Sequence, residues 1–361
     1  MADTRGAENA HIKKFRSDFF RDYFQENRFK SEMGTSENAI IQVSRDLTGG
    51  GKTVQFNLGN RMTGSGVTGT TALVGNEEQI QFRTFSMDII KRRNAFVTHE
   101  QDRHYNAVDL LAAGRSFLQD WAQENTRDQI ITAMGSINGV AYESATEAQK
   151  DAWLVDNADR VLFGAAKSNN SSNDHSASLA NVDGSNDKLT TGALDLLKEM
   201  ALVASPKIRP MRSATSGRRY FCAYVHPYAF RDLRNDSTMQ QSQRDVSLRM
   251  QNEKLFNGGD MEWNGIIIKE LDDIPVLSGV GASSIDVAPV FFCGAQAVAY
   301  GIGKPWYVTG LKEDDYGDKQ GYAINEMGNF AKLRFGTGSN DTDDYKDHGM
   351  VTGYFAAVAS S

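Results

Sequence analysis

Two glycine strings, six histidines and two cysteines are the residues of this 361-residue chain whose types and spacing could do chemistry. Gly49-Gly50-Gly51-Lys52-Thr53 has the ending of a phosphate-binding loop, where backbone amides and a lysine cradle phosphate. That motif also needs a glycine five residues before Gly51, where Asp46 stands, and a helix after the lysine, where a β-pattern follows. Gly64-Ser65-Gly66-Val67-Thr68-Gly69 has the spacing of a dinucleotide fingerprint, which works only between a buried strand and a helix. It sits instead in a polar, glycine-rich stretch, so loop flexibility is the preferred reading. A nucleotide-binding enzyme resting on 49–69 is the alternative function. The histidines are scattered, at 11, 99, 104, 175, 226 and 348; His99 and His104 are badly spaced for sharing a metal on a helix, and no cysteine pair accompanies them. Each reads as a surface or capping histidine. Asp314-Asp315 and Asp343-Asp344 lie in turns without the twelve-residue calcium pattern. There is no G-x-S-x-G elbow. No catalytic, metal or cofactor-binding residue is expected, and the chain reads as a non-enzyme.

The elements around the glycine strings are more informative. Thr53–Leu58 alternates, with Val54, Phe56 and Leu58 on one face, and predicts a strand. A returning strand is expected from about Ile80 to Thr98, with Ile80 and Phe82 alternating against Gln81 and Arg83. The intervening tip, Gly59–Gln79, carries glycines at 59, 64, 66, 69 and 75 and little that is apolar. Loops of that length are uncommon in compact domains, and a two-stranded ribbon is marginal alone in water. A neighbouring copy is the obvious support. From Thr53 through Ile90 there is no lysine. Next, Tyr105–Met134 holds one glycine, Gly114, and no proline. Ala107, Leu110, Leu111, Phe117, Leu118 and Trp121 form an apolar stripe that Ile130, Ile131 and Met134 continue, which predicts one helix of roughly 45 Å, longer than a compact core needs.

Composition sets bounds. The length suffices for two or more lobes. Hydrophobic content of 40% and charged content of 24% are ordinary for a globular protein. No apolar run approaches the ~20 residues that cross a bilayer, and the N-terminus has no signal-peptide pattern. Cys222 and Cys293 lie in apolar strand-like runs and are read as buried and reduced. Net charge is −7, without the basic stripe of a sequence-specific nucleic-acid binder.

Along the rest of the chain, Phe15, Phe19, Phe20 and Phe24 form i,i+4 pairs in a segment (1–48) rich in aromatic and charged residues. In 168–187, 14 of 20 residues are Ser, Asn or Asp, which predicts a surface insertion or disordered loop. Thr191 is the expected cap of a helix over 192–204. Strands are expected at Tyr220–Val225, Ile266–Ile268, after the turn at Asp272–Leu277, at Val290–Cys293, Ala297–Tyr300, Tyr322–Asn325, Asn329–Phe335 and Met350–Val358. A short helix is expected at Pro227–Arg234. No fixed-period repeat supports a fibre or repeat adhesin.

The order of several short strings resembles the major capsid proteins of tailed bacteriophages, in particular the phage N-four type family. These are Val67-Thr68-Gly69, Gly75-Asn76-Glu77-Glu78, Lys91-Arg92-Arg93-Asn94-Ala95, and Tyr220–Asp236 with His226-Pro227. Leu255–Gly259, Trp263-Asn264-Gly265-Ile266, Cys293–Ala297, Asp315-Tyr316-Gly317 and His348-Gly349 continue the series. The resemblance implies an α+β chain with the Hong Kong 97-type capsid fold. It implies an N-terminal arm over 1–48, an E-loop ribbon over 49–100, a P-domain with the spine helix over 101–205, an A-domain over 206–300 and P-domain return strands over 301–361. It implies no cofactor. Its partners would be other copies in hexamers and pentamers, double-stranded DNA packaged non-specifically, and portal, scaffold and decoration proteins, with no membrane. The protein would be made in the bacterial host cytoplasm and end in the virion. The residues expected to touch other subunits are Phe15, Phe19, Phe20, Phe24, Gly64, Gly66, Gly69, Glu77 and Glu78.

Overall fold

The computed structural model describes residues 29–59, 62, 64–78, 80, 82–106, 109–212, 217–242, 261–311, 316, 318–336 and 344–359. The strands are β1 (Met33–Gly34), β2 (Ile41–Ser44), β3 (Thr53–Gly59), β4 (Phe82–Asp88), β5 (Ile90–His99), β6 (Val161–Phe163), β7 (Met211–Arg212) and β8 (Arg219–Val225), then β9 (Met261–Trp263), β10 (Ile266–Glu270), β11 (Val287–Cys293), β12 (Val298–Gly310), β13 (Lys319–Lys332), β14 (Arg334–Gly336), β15 (Tyr345–Asp347) and β16 (Met350–Ala356). The helices are α1 (Glu100–Tyr105), α2 (Leu110–Gly135), α3 (Glu147–Asp156), α4 (His175–Ala180), α5 (Thr191–Val203) and α6 (Pro227–Asn235). Two compact units result, both discontinuous in sequence: Ile90–Arg127 with Lys304–Gly328, and Phe29–Ile89 with Asp128–Gly303 and Asn329–Ser361.

The larger unit is built on a sheet in the order β6-β16-β11-β8-β10-β9, with β7 beside β8. Its strands are apolar on both faces because both faces are covered. Phe221, Ala223 and Val225 of β8 and Val290 and Phe292 of β11 pack under α5 and α6. The alternate residues Cys222, Tyr224, Phe291 and Cys293 meet Ile130, Ile131 and Met134 of α2, together with Phe29, Ile40 and Ile41. Phe29 is fully buried against the Tyr224 ring. A third cluster joins Trp153, Phe163, Tyr354, Leu179 and Val182. At its edge Lys332 Nζ donates to Asp347 Oδ2 at 2.7 Å, and Trp153 Nε1 donates to the same oxygen at 3.2 Å. The Arg160 guanidinium donates to the carbonyls of Asp347 and Pro206.

In the smaller unit β5 pairs antiparallel with β13, from His99↔Lys319 to Ile90↔Gly328. Leu118 and Ala122 of α2 pack against Ile324, with Phe96, Trp121, Trp306 and Tyr322 around them. Gly114 explains itself here, since a Cβ at that position would sit 2.5 Å from the Phe96 ring.

The structure revises several sequence expectations. The long helix starts later than expected, at Leu110, and runs to Gly135. Asn106 is extended, and Asp109 Oδ1 accepts the amides of Leu111 and Ala112, which starts α2. The returning strand is two. Ile89 N–H closes the ribbon on Lys52 O at 2.9 Å, and β5 then takes β13 as its partner. The cap of α5 is Thr190, whose Oγ1 accepts from Ala193 N, whereas Thr191 donates its hydroxyl to Asp236. Asp272–Leu277 makes only the bridge Leu277↔Val287; Pro275 has no N–H to offer a ladder. Tyr322–Asn325 and Asn329–Lys332 are one strand, β13. The 168–187 segment is ordered, not a disordered loop. Its polar side chains cap and turn the backbone: Asp174 caps α4, and buried Asp187 accepts from Ala165 N, Asn169 Nδ2 and Asp183 N.

Candidate assembly surface

The ribbon β3–β4 runs in register from Thr53↔Asp88 to Gly59↔Phe82. One face is seated: Val54, Phe85 and Met87 pack on Ala299, Leu333 and Phe335. The seat is tight, because a Cβ on Gly301 would lie 2.8 Å from Met87 Cε and 2.9 Å from Val54 Cγ2. A cleft of about 480 Å³ opens beside it, lined by Phe56, Leu58, Gln296 and His348 among others. At the base, Lys52 Nζ lies 2.9 Å from Asp88 Oδ2, and Thr53 Oγ1 donates to Asp88 Oδ1. The Thr53 hydroxyl, then the Lys52 ammonium, hold the Asp88 carboxyl below the usual carboxylate range. Hydrogen bonding to Asp88, then its charge, pushes the Lys52 amine up. Lys52 therefore stays protonated and is a poor nucleophile. No phosphate-binding architecture surrounds it, since β3 and not a helix follows Lys52.

The expected tip residues organise the tip itself. Glu78 Oε2 accepts the amide of Gly64, and Glu77 Oε2 accepts that of Gly75, each at 2.7 Å. Gly66 and Gly69 hold φ of +67° and +69°, which favours glycine. All five expected residues here, Gly64, Gly66, Gly69, Glu77 and Glu78, are exposed. Phe15, Phe19, Phe20 and Phe24 lie outside the described residues.

Sequence reasoning placed Ile80 and Phe82 on the returning strand but missed Met62, Leu73 and Val74 and the exposure of the whole group. Met62, Leu73, Val74, Ile80 and Phe82 are exposed, Val74 by 85% and Phe82 by 66%. The signal was a parity change. Phe82 is even-numbered and Phe85 and Met87 are odd, so one strand carries apolar side chains on both faces. Only the odd face is covered within the subunit.

His175 was also misread. It is 1% exposed and ringed by Tyr142, Trp153, Phe163 and Tyr354, so it is neither a surface nor a capping residue. Its spacing with Ser178 and Leu179 on one helix face was the available clue. His226 does cap α6, accepting from Tyr228 N. Cys222 and Cys293 are buried free thiols, directly opposite each other on β8 and β11.

The phage capsid protein family matches residues 4–359. The chain belongs to this family. No curated protein matches it in sequence. Among solved structures, the capsid asymmetric unit of cyanophage Pam1 is 28% identical over 100% of both chains, with TM-score 0.87. The capsid of Ralstonia phage GP4 is 20% identical over 100% of both, with TM-score 0.77. The head of Helicobacter pylori bacteriophage KHP40 is 12% identical over 97% of this chain and 95% of that one, with TM-score 0.68. The latter two establish the fold alone. The chain therefore has the Hong Kong 97-type α+β capsid fold. It is a major capsid protein of a tailed phage: its copies assemble into a shell, and its place is the virion.

Proposed function

We propose that copies of this capsid protein close head-to-tail into hexamers and pentamers, which tile an icosahedral head around double-stranded DNA. A heterologous contact that closes on rotation makes a ring, and a subunit able to form rings of five and six can close a surface. The observation that carries this reading is a ribbon seated on one face whose free end exposes apolar side chains. Its outer residues, Val74, Ile80 and Phe82, have no cover within the subunit, and a neighbouring copy supplies it. We assign 1–48 to the arm, 49–100 to the E-loop, 101–205 with the return strands of 301–361 to the P-domain, and 206–300 to the A-domain. Glu77, Glu78 and the tip glycines shape the contact that Phe82 and Val74 fill. DNA is enclosed without sequence preference and without being gripped, because a chain of net charge −7 offers phosphates little attraction. Portal, scaffold and decoration proteins join the shell, which forms in the host cytoplasm. The protein is structural and catalyses nothing. Electron microscopy of the expressed protein tests the assembly. Shells, tubes or ring capsomers are expected, and monomers alone at high concentration would overturn it. Stoichiometric nucleotide binding in a calorimeter would favour the enzyme instead.

A further inference from the structure

Residues 207–219 carry Lys207, Arg209, Arg212, Arg218 and Arg219 and no acidic residue, in a chain whose net charge is −7. All of these cations are exposed. Charge on an edge strand such as β7 keeps sheets from joining edge to edge, and charges of either sign do that. That role does not explain the pairing. β7 and β8 run antiparallel, with Met211 opposite Tyr220 and Arg212 opposite Arg219. Met211 and Tyr220 turn to the core, so Arg212 and Arg219 share the other face. Like charges directly opposite each other destabilise a ladder. The register is held all the same, because the amide and the carbonyl of Arg212 both bond the Asn38 side chain.

Little in the subunit neutralises this cluster. Among the described residues, Arg209 is the member with an ion pair, to Glu37 at 3.1 Å. Lys198 of α5 adds a further cation beside β8: a Cβ on Gly265 would lie 3.2 Å from Arg219 O and 3.9 Å from Lys198 Nζ. That ammonium bonds Asn264 O and Oδ1, which are both uncharged. Asp195 is near, but its Oδ1 already accepts from Trp263 Nε1 and Asn264 Nδ2. The run Lys91-Arg92-Arg93 on β5 is built differently, since Arg92 stands opposite Glu326.

We infer that Lys198, Arg212 and Arg219 form a face that contacts the phosphate backbone of the enclosed DNA. The inference rests on the reading that the shell encloses DNA. A guanidinium presents a fork of donors that matches phosphate oxygens. A polyanion laid across Arg212 and Arg219 turns their mutual repulsion into shared attraction. A phosphodiester chain suits the pair better than a single carboxylate, because it brings a continuous row of charges. The contact is local, so one subunit holds DNA weakly and the acidic remainder of the chain does not grip it. Copies arranged in a ring repeat the face and add their weak contacts along one duplex.

The test uses full-chain subunits, kept below the concentration at which they assemble, and a short labelled duplex of arbitrary sequence. Binding is followed by fluorescence anisotropy. Between about 50 and 200 mM salt the affinity is expected to fall about 40-fold, the loss for three phosphate contacts. Arg212→Ser/Arg219→Ser should leave a fall of only about 3-fold, the loss for one. This variant should melt no lower than wild type, since it removes a repulsion and keeps the backbone bonds to Asn38. Lys91→Ser/Arg93→Ser removes as much charge elsewhere and should keep the full salt dependence. No binding at the low salt, an unchanged salt dependence in the hairpin variant, or an equal loss in both variants would overturn the face. Polyglutamate competing as well as duplex would also overturn it, and would assign the hairpin to an acidic protein segment. Subunits that build shells yet fail to bind the duplex would remove this face and leave the assembly reading standing.

Discussion

Phe82→Ser should weaken particles while sparing the subunit. Phe82 projects from the outer face of β4, opposite Gly59 and 66% exposed. Full burial of a phenylalanine is worth about 1.5–3 kcal/mol relative to exposure. A neighbour that covers the exposed two thirds therefore gains about 1–2 kcal/mol per subunit. Within the subunit the ring contributes little, so the isolated variant should unfold within about 0.5 kcal/mol of wild type. A loss of 1.4 kcal/mol is tenfold in an association constant, and every subunit of a ring repeats it. Subunit unfolding would be followed by circular dichroism in guanidinium and particle dissociation by light scattering. The expected result is a particle midpoint shifted down and a subunit midpoint unmoved. Particles as resistant as wild type would refute the argument, and so would a subunit destabilised as much as the particle.

Asp347→Ala should cost the subunit about 3–5 kcal/mol in urea unfolding, because it strands the Lys332 ammonium, itself 3% exposed. The double variant Lys332→Met/Asp347→Leu should recover most of that, and a single variant costing under about 1 kcal/mol would contradict the pairing. Burial, then the charges of Arg160 and Arg209, push His348 down to about 4 from 6.5. The unfolded state then binds the extra proton first, so this stability is present above pH 6.5 and is lost as pH falls towards 4. It amounts to at most about 3 kcal/mol. His348→Phe should flatten that acid limb in pH-dependent melting, and an unchanged limb would exclude the residue. Mature particles boiled in detergent should give one band near 39.8 kDa. The ribbon from Thr53 to Ile90 has no lysine, and Lys52 is held protonated by Asp88. A covalent ladder joined through Lys52 or Lys91 would sink this.

Strands whose residues face a core on both sides were legible, because Tyr220–Val225 and Val290–Cys293 are unbroken apolar runs. The ribbon was legible from the alternation of Val54, Phe56 and Leu58. Partner changes were not. Nothing local at Ile89 says that β4 ends on β3 and β5 begins on β13, since strand pairing is chosen by distant residues. The 168–187 segment misled because its order comes from side chains bonding their own backbone, and composition counts only the polarity of those groups. His175 misled because its burial depends on rings up to 179 positions away, at Tyr354. The outer face of the ribbon was legible only in part, as a length of loop needing support. The residues that demand the support emerged once the register set their parity.

The placement of β16 bears on how a subunit is made. It lies between β6, its parallel partner, and β11, its antiparallel one, and follows β6 by about 190 residues in synthesis order. At about 5–20 residues per second, a ribosome needs roughly 10–40 s to travel that far. Throughout this interval β6 waits with an open edge, β11 joins it for the last 57 residues before Met350, and the floor beneath α5 lacks Val351 and Phe355. A chain stopped short of Met350 is thus missing a middle strand and not a dispensable tail. The physical consequence is that a truncated chain keeps two raw sheet edges and an incomplete core, so completion of the sheet is tied to the last strand made.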